Sequence, residues 1–408
     1  MTTEAADRIG PLRIGPPAHG GVCVARHDGR VVFVAGVLPG ELAWAEVTRR
    51  QTRQWHARAV EILEAAPDRV EHVWPLAAAA GVGGADLGHV ALPAQRTWKA
   101  AVTAGQLRRL AGLERTVQVE AAPGDDARGG RGWRTRLDFE ADAAGRLAMH
   151  AAGSHRLVPV DSMPLAHEAI VEAAPWRQAY PPGAQVRVVR SAGAAADGSA
   201  AQTTVAVRGD DPGWVDERVP LPDGGAALFR LPATAFWQVH RAAPAVLTAA
   251  VSEAAQAGAG QRVFDLYSGV GLFTAPLAAA VGRAGQVWAV EGALAASAAA
   301  AANTAAWPAA RCLHGAVADQ LHDRSGPLPA RADVVVLDPP RNGAGRRVLA
   351  GVTARQPRRI VYVACDPAAL ARDLGSLAAA GYPLAGLRAF DLFPHTHHVE
   401  CVAVCERA

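Results

Sequence analysis

Two rhythms divide the chain. Up to about residue 230, apolar positions recur in short β-like runs broken by glycine, proline and aspartate; beyond about 240, apolar strands alternate with helical stretches. In "GVCVARHDGRVVFVAGVLPGELAWAEVTRR", valine-rich runs are punctuated by Asp28-Gly29 and Pro39-Gly40. Asp-Gly between apolar runs is a strong hairpin signal. Several short strands with such punctuation predict a small β-barrel over residues 1–66. The spacing in "LPAQRTWKAAVTAGQLRRLAGL" predicts a helix over about 93–113, placed to pack on the C-terminal domain. Strand character resumes at "ERTVQVEAAP". Residues 67–230 otherwise predict an irregular β-rich domain with loops such as "AAPGDDARGGRG" and "SAGAAADGSA".

From 231 to 408 a helix, "RAAPAVLTAAVSEAAQ", leads into strand–helix pairs. The strands are "RVFDLYSG", "QVWAVEG", "ADVVVLDPP" and "RRIVYVAC", and "GLRAFDLFPHTHHVECVAVCER" supplies two final strands. This alternation predicts an α/β fold, a doubly wound, Rossmann-like parallel sheet. Ligands of such sheets bind at the carboxyl ends of the strands.

Composition changes the picture little. A chain of 408 residues, half of them hydrophobic, has material for two or three domains. Its net charge of +3 does not announce a nucleic-acid binder. Lys99 is the only lysine, which with the alanine excess reflects genome composition. Locally, Arg49, Arg50, Arg53 and Arg58 interleave with Trp44 and Trp55, a mixture that suits single-stranded nucleic acid. The alternative is a solvated strand over core tryptophans. Arg134 and Arg136 are further candidates to meet phosphates. "MTTEAADRIG" lacks an apolar signal core, and no run approaches the roughly 18 apolar residues of a membrane span. Five irregularly spaced cysteines fit a reducing compartment. A soluble, cytoplasmic protein is expected.

The candidate chemistry lies at strand ends. In "VFDLYSGVGLFT" a strand carrying Asp265 runs into Gly269-Val270-Gly271, and Glu291 closes the next strand, where an acid commonly grips ribose hydroxyls. The third glycine of a dinucleotide fingerprint is absent, which favours S-adenosylmethionine over NAD. No P-loop occurs. "VVVLDPPRNGAG" puts Asp338 at another strand end, with two prolines stiffening an open edge and Arg341 beside it. "IVYVACDPAALARDL" puts Cys365 there too; Asp366 is placed to cap the next helix and Pro367 to begin it. A helix N-terminus lowers a thiol's pKa, so a reactive thiolate is expected, against the alternative of a packing cysteine. Cys401 and Cys405 alternate as core residues, and Glu400 interrupts an apolar strand as a candidate general base. His395, His397 and His398 crowd the preceding loop without metal-ligand spacing. Thiolate, base and methyl donor together suit methylation of a pyrimidine at carbon five.

These motifs resemble the bacterial RNA uracil-5-methyltransferases, along nearly the whole chain. "GVLPGE" and its strands look like the family's RNA-binding TRAM barrel. "FWQVH" resembles a Phe-x-Gln-Val-Asn segment, implying Gln238 as a cofactor contact. "DLYSGVGLFT" implies Tyr267, Gly269 and Gly271 on the cofactor's methionine side, with Glu291 on the ribose and Asp338 beside the reacting groups. "ACDPAALARDL" implies Cys365 as nucleophile and "HVECVAVCER" implies Glu400 as base. The implied substrate is a flipped uridine of ribosomal or transfer RNA, and a monomer is the implied state. Many members carry a [4Fe–4S] cluster on four cysteines. Trp74, Val82, Ala85 and Met163 occupy those positions here, so no iron–sulfur cluster or other metal is expected. Leu272 stands where asparagine is usual, and His240 where Val-Asn is common. A cytosine-5 methyltransferase is disfavoured because no cysteine follows the "LDPPR" strand. A non-catalytic RNA-binding protein on the same scaffold is the other alternative.

Overall fold

The computed structural model describes residues 7–195, 201–211 and 213–408. The polar start of the chain and the end of the "SAGAAADGSA" loop lie outside the described residues. Six strands come first: β1 (Arg8–Arg13), β2 (Pro17–Ala18), β3 (Val22–His27), β4 (Arg30–Ala35), β5 (Leu42–Arg50) and β6 (Gln54–Glu64). They are ordered β1-β5-β6-β4-β3-β2. Asp28 and Gly29, with φ of 47° and 76°, make the hairpin turn between β3 and β4. Alternation along these strands buries Cys23, Ala25, Val32, Val34, Ala43, Ala45 and Ala57. Trp44 and Trp55 stay half-buried, with the Arg8 guanidinium 4.7 Å from the first ring and Arg50 4.1 Å from the second. Glu41 of "GVLPGE" is fully buried. It accepts from Leu38 N at 2.8 Å, Ala66 N at 3.1 Å and Arg69 Nε at 2.6 Å, which fastens the departing chain back onto the barrel.

Helices α1 (Pro75–Ala80) and α2 (Leu92–Gln106) and strand β7 (Val119–Ala121) follow. The central sheet is antiparallel, ordered β10-β9-β8-β11-β12. Its strands are β8 (Arg136–Ala141), β9 (Leu147–His150), β10 (Leu157–Pro159), β11 (Gln185–Arg190) and β12 (Thr203–Val207), with α3 (Glu168–Ala173) before β11. Strands β13 (Trp214–Pro220) and β14 (Ala226–Pro232) form a separate hairpin.

The last sheet is built from β15 (Arg262–Leu266), β16 (Gln286–Glu291), β17 (Ala310–His314), β18 (Val334–Leu337), β19 (Arg359–Ala364), β20 (Leu384–Asp391) and β21 (Glu400–Glu406). Its helices are α4 (Ala243–Ala255), α5 (Thr274–Val281), α6 (Leu294–Asn303), α7 (Val317–His322), α8 (Gly345–Ala354) and α9 (Pro367–Ala379). The order β17-β16-β15-β18-β19-β21-β20-β7 reverses direction beside β15, the position where a doubly wound sheet opens its crevice. Strands β15 to β19 are parallel; β21 runs antiparallel to both β19 and β20.

Three sequence expectations shift. β7 does not join the central sheet but pairs parallel with β20. The β13–β14 hairpin turns Val215, Val219, Phe229 and Leu231 into the core shared with Leu247 and Val251 of α4, not into the central core. Arg136 is buried and paired with Glu217 at 2.5 Å, so it is unavailable to phosphate. Leu107, in the π-helical turn that extends α2, shares a core with Leu370, Leu374 and Leu377 of α9. Lys99 of α2, also buried, reaches Asp391 at 2.5 Å. No helix among the described residues is long and apolar enough to cross a membrane.

Candidate active site

Parallel strands deliver their carboxyl ends to one rim. Gly269 follows β15, Glu291 ends β16, Asp338 follows β18 and Cys365 follows β19. Because β21 runs the other way, its first residue, Glu400, arrives at the same rim. Ala364 pairs with Cys401, which seats Glu400 beside the turn that carries Cys365. A cavity of about 810 Å³ opens there. Of the residues singled out in the sequence, Gln238, Tyr267, Gly269, Glu291, Asp338, Cys365 and Glu400 all line it.

Gly271 does not. Its φ is +97°, and a Cβ there would lie 3.1 Å from Thr304 Cγ2 and 3.5 Å from Ala300 Cα. That glycine lets the turn pack against α6.

On one side of the cavity the Glu291 carboxylate accepts from Gly269 N at 2.9 Å and Ala293 N at 2.7 Å, so it is oriented but keeps lone pairs free. A Cβ on Gly269 would meet open space, so this turn leaves room where a ligand would approach. Val270, Leu272, Phe273, Ala293 and Ala296 supply an apolar wall. A ribose-gripping acid, a bare glycine turn and an apolar wall in a cavity of this volume fit a nucleoside cofactor such as S-adenosylmethionine.

On the other side stand the reacting groups. Asp366 Oδ1 accepts from Ala369 N at 2.7 Å and so caps α9, as the sequence predicts. The thiol, however, is not activated by that helix in the free protein. Burial pushes Cys365 up to about 12, with the Glu400 and Asp338 charges adding and Arg341 opposing. Desolvation and two facing carboxylates outweigh one helix dipole. The carboxyl groups are raised in turn. Burial lifts Asp265 to about 7 although Thr274 Oγ1 donates to it at 2.5 Å. Burial and Asp265 lift Asp338 to about 7, and burial with Asp338 lifts Glu400 well above the carboxylate range. The rim therefore stores protons near neutral pH.

A family model described as tRNA (uracil-5-)-methyltransferase matches residues 330–408, the span that holds Asp338, Cys365 and Glu400. An uncharacterized RNA methyltransferase of Bifidobacterium longum is 41% identical over 97% of this chain and 96% of its own length. The 23S rRNA (uracil(1939)-C(5))-methyltransferase of a Shewanella species is 29% identical over 96% of this chain and 94% of its own. In fold, the chain is similar to the Pyrococcus abyssi tRNA (uracil-54, C5)-methyltransferase, with a TM-score of 0.67 at 20% identity over 97% of this chain and 99% of that one. The chain belongs to the RNA uracil-5-methyltransferase family. Members are S-adenosylmethionine-dependent, and the cavity's cofactor side agrees.

Against that family pattern, the four positions at which many members hold an iron–sulfur cluster converge here as well. Trp74, Val82, Ala85 and Met163 are all buried in the central core with Leu137, Phe139 and Leu147. Between Val82 and Ala85, Gly83 and Gly84 line the cavity, so this apolar core backs one wall of the site. His240, in place of asparagine, accepts from Ala242 N on Nδ1 at 3.0 Å and donates from Nε2 to Asp125 at 2.9 Å, fixing the segment that presents Gln238.

The three loop histidines part company. His395 is buried and donates to Gly129 O at 3.0 Å; His397 pairs with Asp86 at 2.6 Å; His398 lines the cavity, held neutral with its pKa lowered to about 4 mainly by burial. Sequence reasoning missed Trp133, Thr396 and Phe236 in the lining. Phe236 is 72% exposed at the rim, and its only sequence signal is its place two residues before Gln238.

Proposed function

We propose that this chain methylates carbon five of a uridine in ribosomal or transfer RNA, with Cys365 as nucleophile and Glu400 as general base. The observation that carries the reading is the meeting of that thiol and that carboxyl in one cavity with a nucleoside-binding rim. The uracil enters beside Cys365, with the exposed ring of Phe236 at the cavity mouth to stack on a flipped base. The thiol proton leaves to water and Sγ bonds to carbon six. Carbon five thereby becomes the nucleophilic end of an enolate. S-adenosylmethionine, when held by Gln238, Tyr267, Gly269, Glu291 and Asp338, supplies an electrophilic methyl group. Glu400, deprotonated for this step, takes the remaining proton from carbon five, the S–C6 bond breaks and the thiolate is regenerated. Arg341 at the rim opposes the negative charge of both groups and so favours their ionised forms.

The arginine-stacked tryptophans support the N-terminal strands, over residues 1–66, as a TRAM-like RNA-binding module. Residues 67–230 form the supporting central domain and 231–408 the methyltransferase domain, with α2, β7 and the β13–β14 hairpin lent to it. All five cysteines are free, in keeping with a reducing cytoplasm. The Shewanella relative makes 23S rRNA the first substrate to test.

The test is incubation with 5-fluorouridine RNA and S-adenosylmethionine. Fluorine cannot leave as a cation, so elimination stalls and a protein–RNA adduct survives denaturation; Cys365→Ser forms none. Tight RNA binding without any adduct would instead identify a non-catalytic binder.

A further inference from the structure

One contact at the thiol is not used by this chemistry. Strand β2 of the barrel ends at Ala18, and the next residue crosses to the catalytic sheet: His19 Nε2 lies 3.2 Å from Asp366 Oδ2. Asp366 directly follows Cys365. Its other oxygen, Oδ1, caps α9. One carboxylate thus holds the barrel with one oxygen and the helix with the other, and the turn bearing the sulfur is clamped between them.

Three further features mark this junction. A second cavity of about 190 Å³ lies on the barrel side of the thiol, lined by His19, Arg341, Cys365, Asp366, His397 and His398 among others. It shares Arg341, Cys365 and His398 with the main cavity, so Cys365 borders both. The barrel turn is also pressed tightly onto the loop before β21: a Cβ on Gly21 would lie 2.5 Å from Asp86 Oδ2 and 3.3 Å from His397 Cβ. Finally, of the groups facing His19, Asp366 favours the pair, while burial and Arg109 oppose it. Asp366 comes from α9, Arg109 from the turn after α2, and His397 sits with its ring 6.3 Å away and already bound to Asp86. Asp366 is the anion in contact, and it lifts His19 while His19 helps hold Asp366 down to about 2.

We propose that His19 is a positioning residue through which the N-terminal barrel sets the turn of the nucleophile, so that the barrel contributes to the chemical step and not only to RNA affinity. This rests on the reading of Cys365 as nucleophile. A partly exposed pair of this kind adds little to global stability, so its loss leaves the chain folded. Its effect falls on the placement of the sulfur, where small displacements slow a reaction steeply.

The experiment measures the rate of adduct formation with 5-fluorouridine RNA and S-adenosylmethionine, at saturating RNA, for the full chain. His19→Ala slows that rate about tenfold while the RNA dissociation constant changes less than about twofold, and His19→Gln, which keeps a donor, restores most of it. His19→Asn, too short to reach, behaves as His19→Ala does, and thermal melts check that each variant is folded. An unchanged rate in His19→Ala, a loss confined to RNA affinity, or a His19→Gln variant as slow as His19→Ala would overturn the inference. A wild-type chain that forms no adduct overturns the nucleophile and this inference together, whereas a reactive wild type with an equally reactive His19→Ala overturns this inference alone.

Discussion

Burial acts in opposite senses on the two walls of the cavity. At the rim of the parallel sheet it confines Asp265, Asp338, Glu400 and Cys365 together, and every one of them is pushed toward its neutral form. In the central core it gathers Trp74, Val82, Ala85 and Met163, which carry no charge to lose. The first arrangement opposes folding and is justified only by chemistry; the second strengthens folding and needs no ligand. Ionisable groups stand where the reaction is proposed, and apolar packing fills the positions at which the family resemblance implies cluster cysteines. The two meet through Gly83 and Gly84, so the core without ligands still shapes the wall of the site with them.

The largest effect expected on the charged side comes from Glu400→Gln. Glutamine cannot take the carbon-five proton, so addition and methyl transfer proceed but elimination stops. Multiple turnover falls on the order of 10²–10⁴-fold, while a methylated covalent complex accumulates on unmodified RNA. Gel analysis with labelled methyl donor separates this from simple inactivation. A variant that releases methylated RNA at the wild-type rate would move the base elsewhere.

On the apolar side the matching test is Trp74→Ala. Removing a fully buried indole costs about 3–5 kcal/mol of stability through lost burial and the cavity left behind. Denaturant unfolding reads this directly. The rate per folded molecule changes far less than in Glu400→Gln, since Trp74 is not in the cavity lining. Equal losses in both readouts would mean that the central core positions the reacting groups and does more than back them.

How much of this contrast was legible in the sequence follows from range. Strands β15, β18 and β19 are buried on both faces and read as apolar runs, β16 is partly buried on one face, and the residues closing all four share a rim by topology alone. That is why Glu291, Asp338 and Cys365 could be grouped before any coordinates. Strand β17 escaped because it is a half-exposed edge, and the pairing of β7, though not its strand character, because its partner β20 lies far along the chain. The packing part of Gly271 was not legible because a glycine that admits a neighbouring helix looks the same in sequence as one that admits a ligand. The direction of the thiol's pKa was misread for a related reason. The helix cap is local and visible, whereas the burial that opposes it is a tertiary property and the two carboxyls that add to it, Glu400 and Asp338, come from other strands. Glu217 beneath Arg136 and His19 beside Asp366 were hidden in the same way.

The smallest effect sharpens the comparison most, because it makes the rim's cost measurable. The pKa of Asp338 is near 7 in the folded chain against an ordinary 3.8. Between those values the folded state binds more protons than the unfolded one, so this group makes stability fall as pH rises from about 4 to about 7, after which the loss is constant. Asp338→Asn removes the term: it should leave stability nearly unchanged at pH 4 and raise it at pH 8, read as a higher melting temperature. Methylation should fall at least about tenfold in the same variant, because a charge facing the reacting groups is gone. Stability gained as activity is lost would mark Asp338 as a residue kept for its chemistry. A variant no more stable than wild type at pH 8 would show that the carboxylate is solvated or paired there, and the contrast between the two walls would narrow to packing alone.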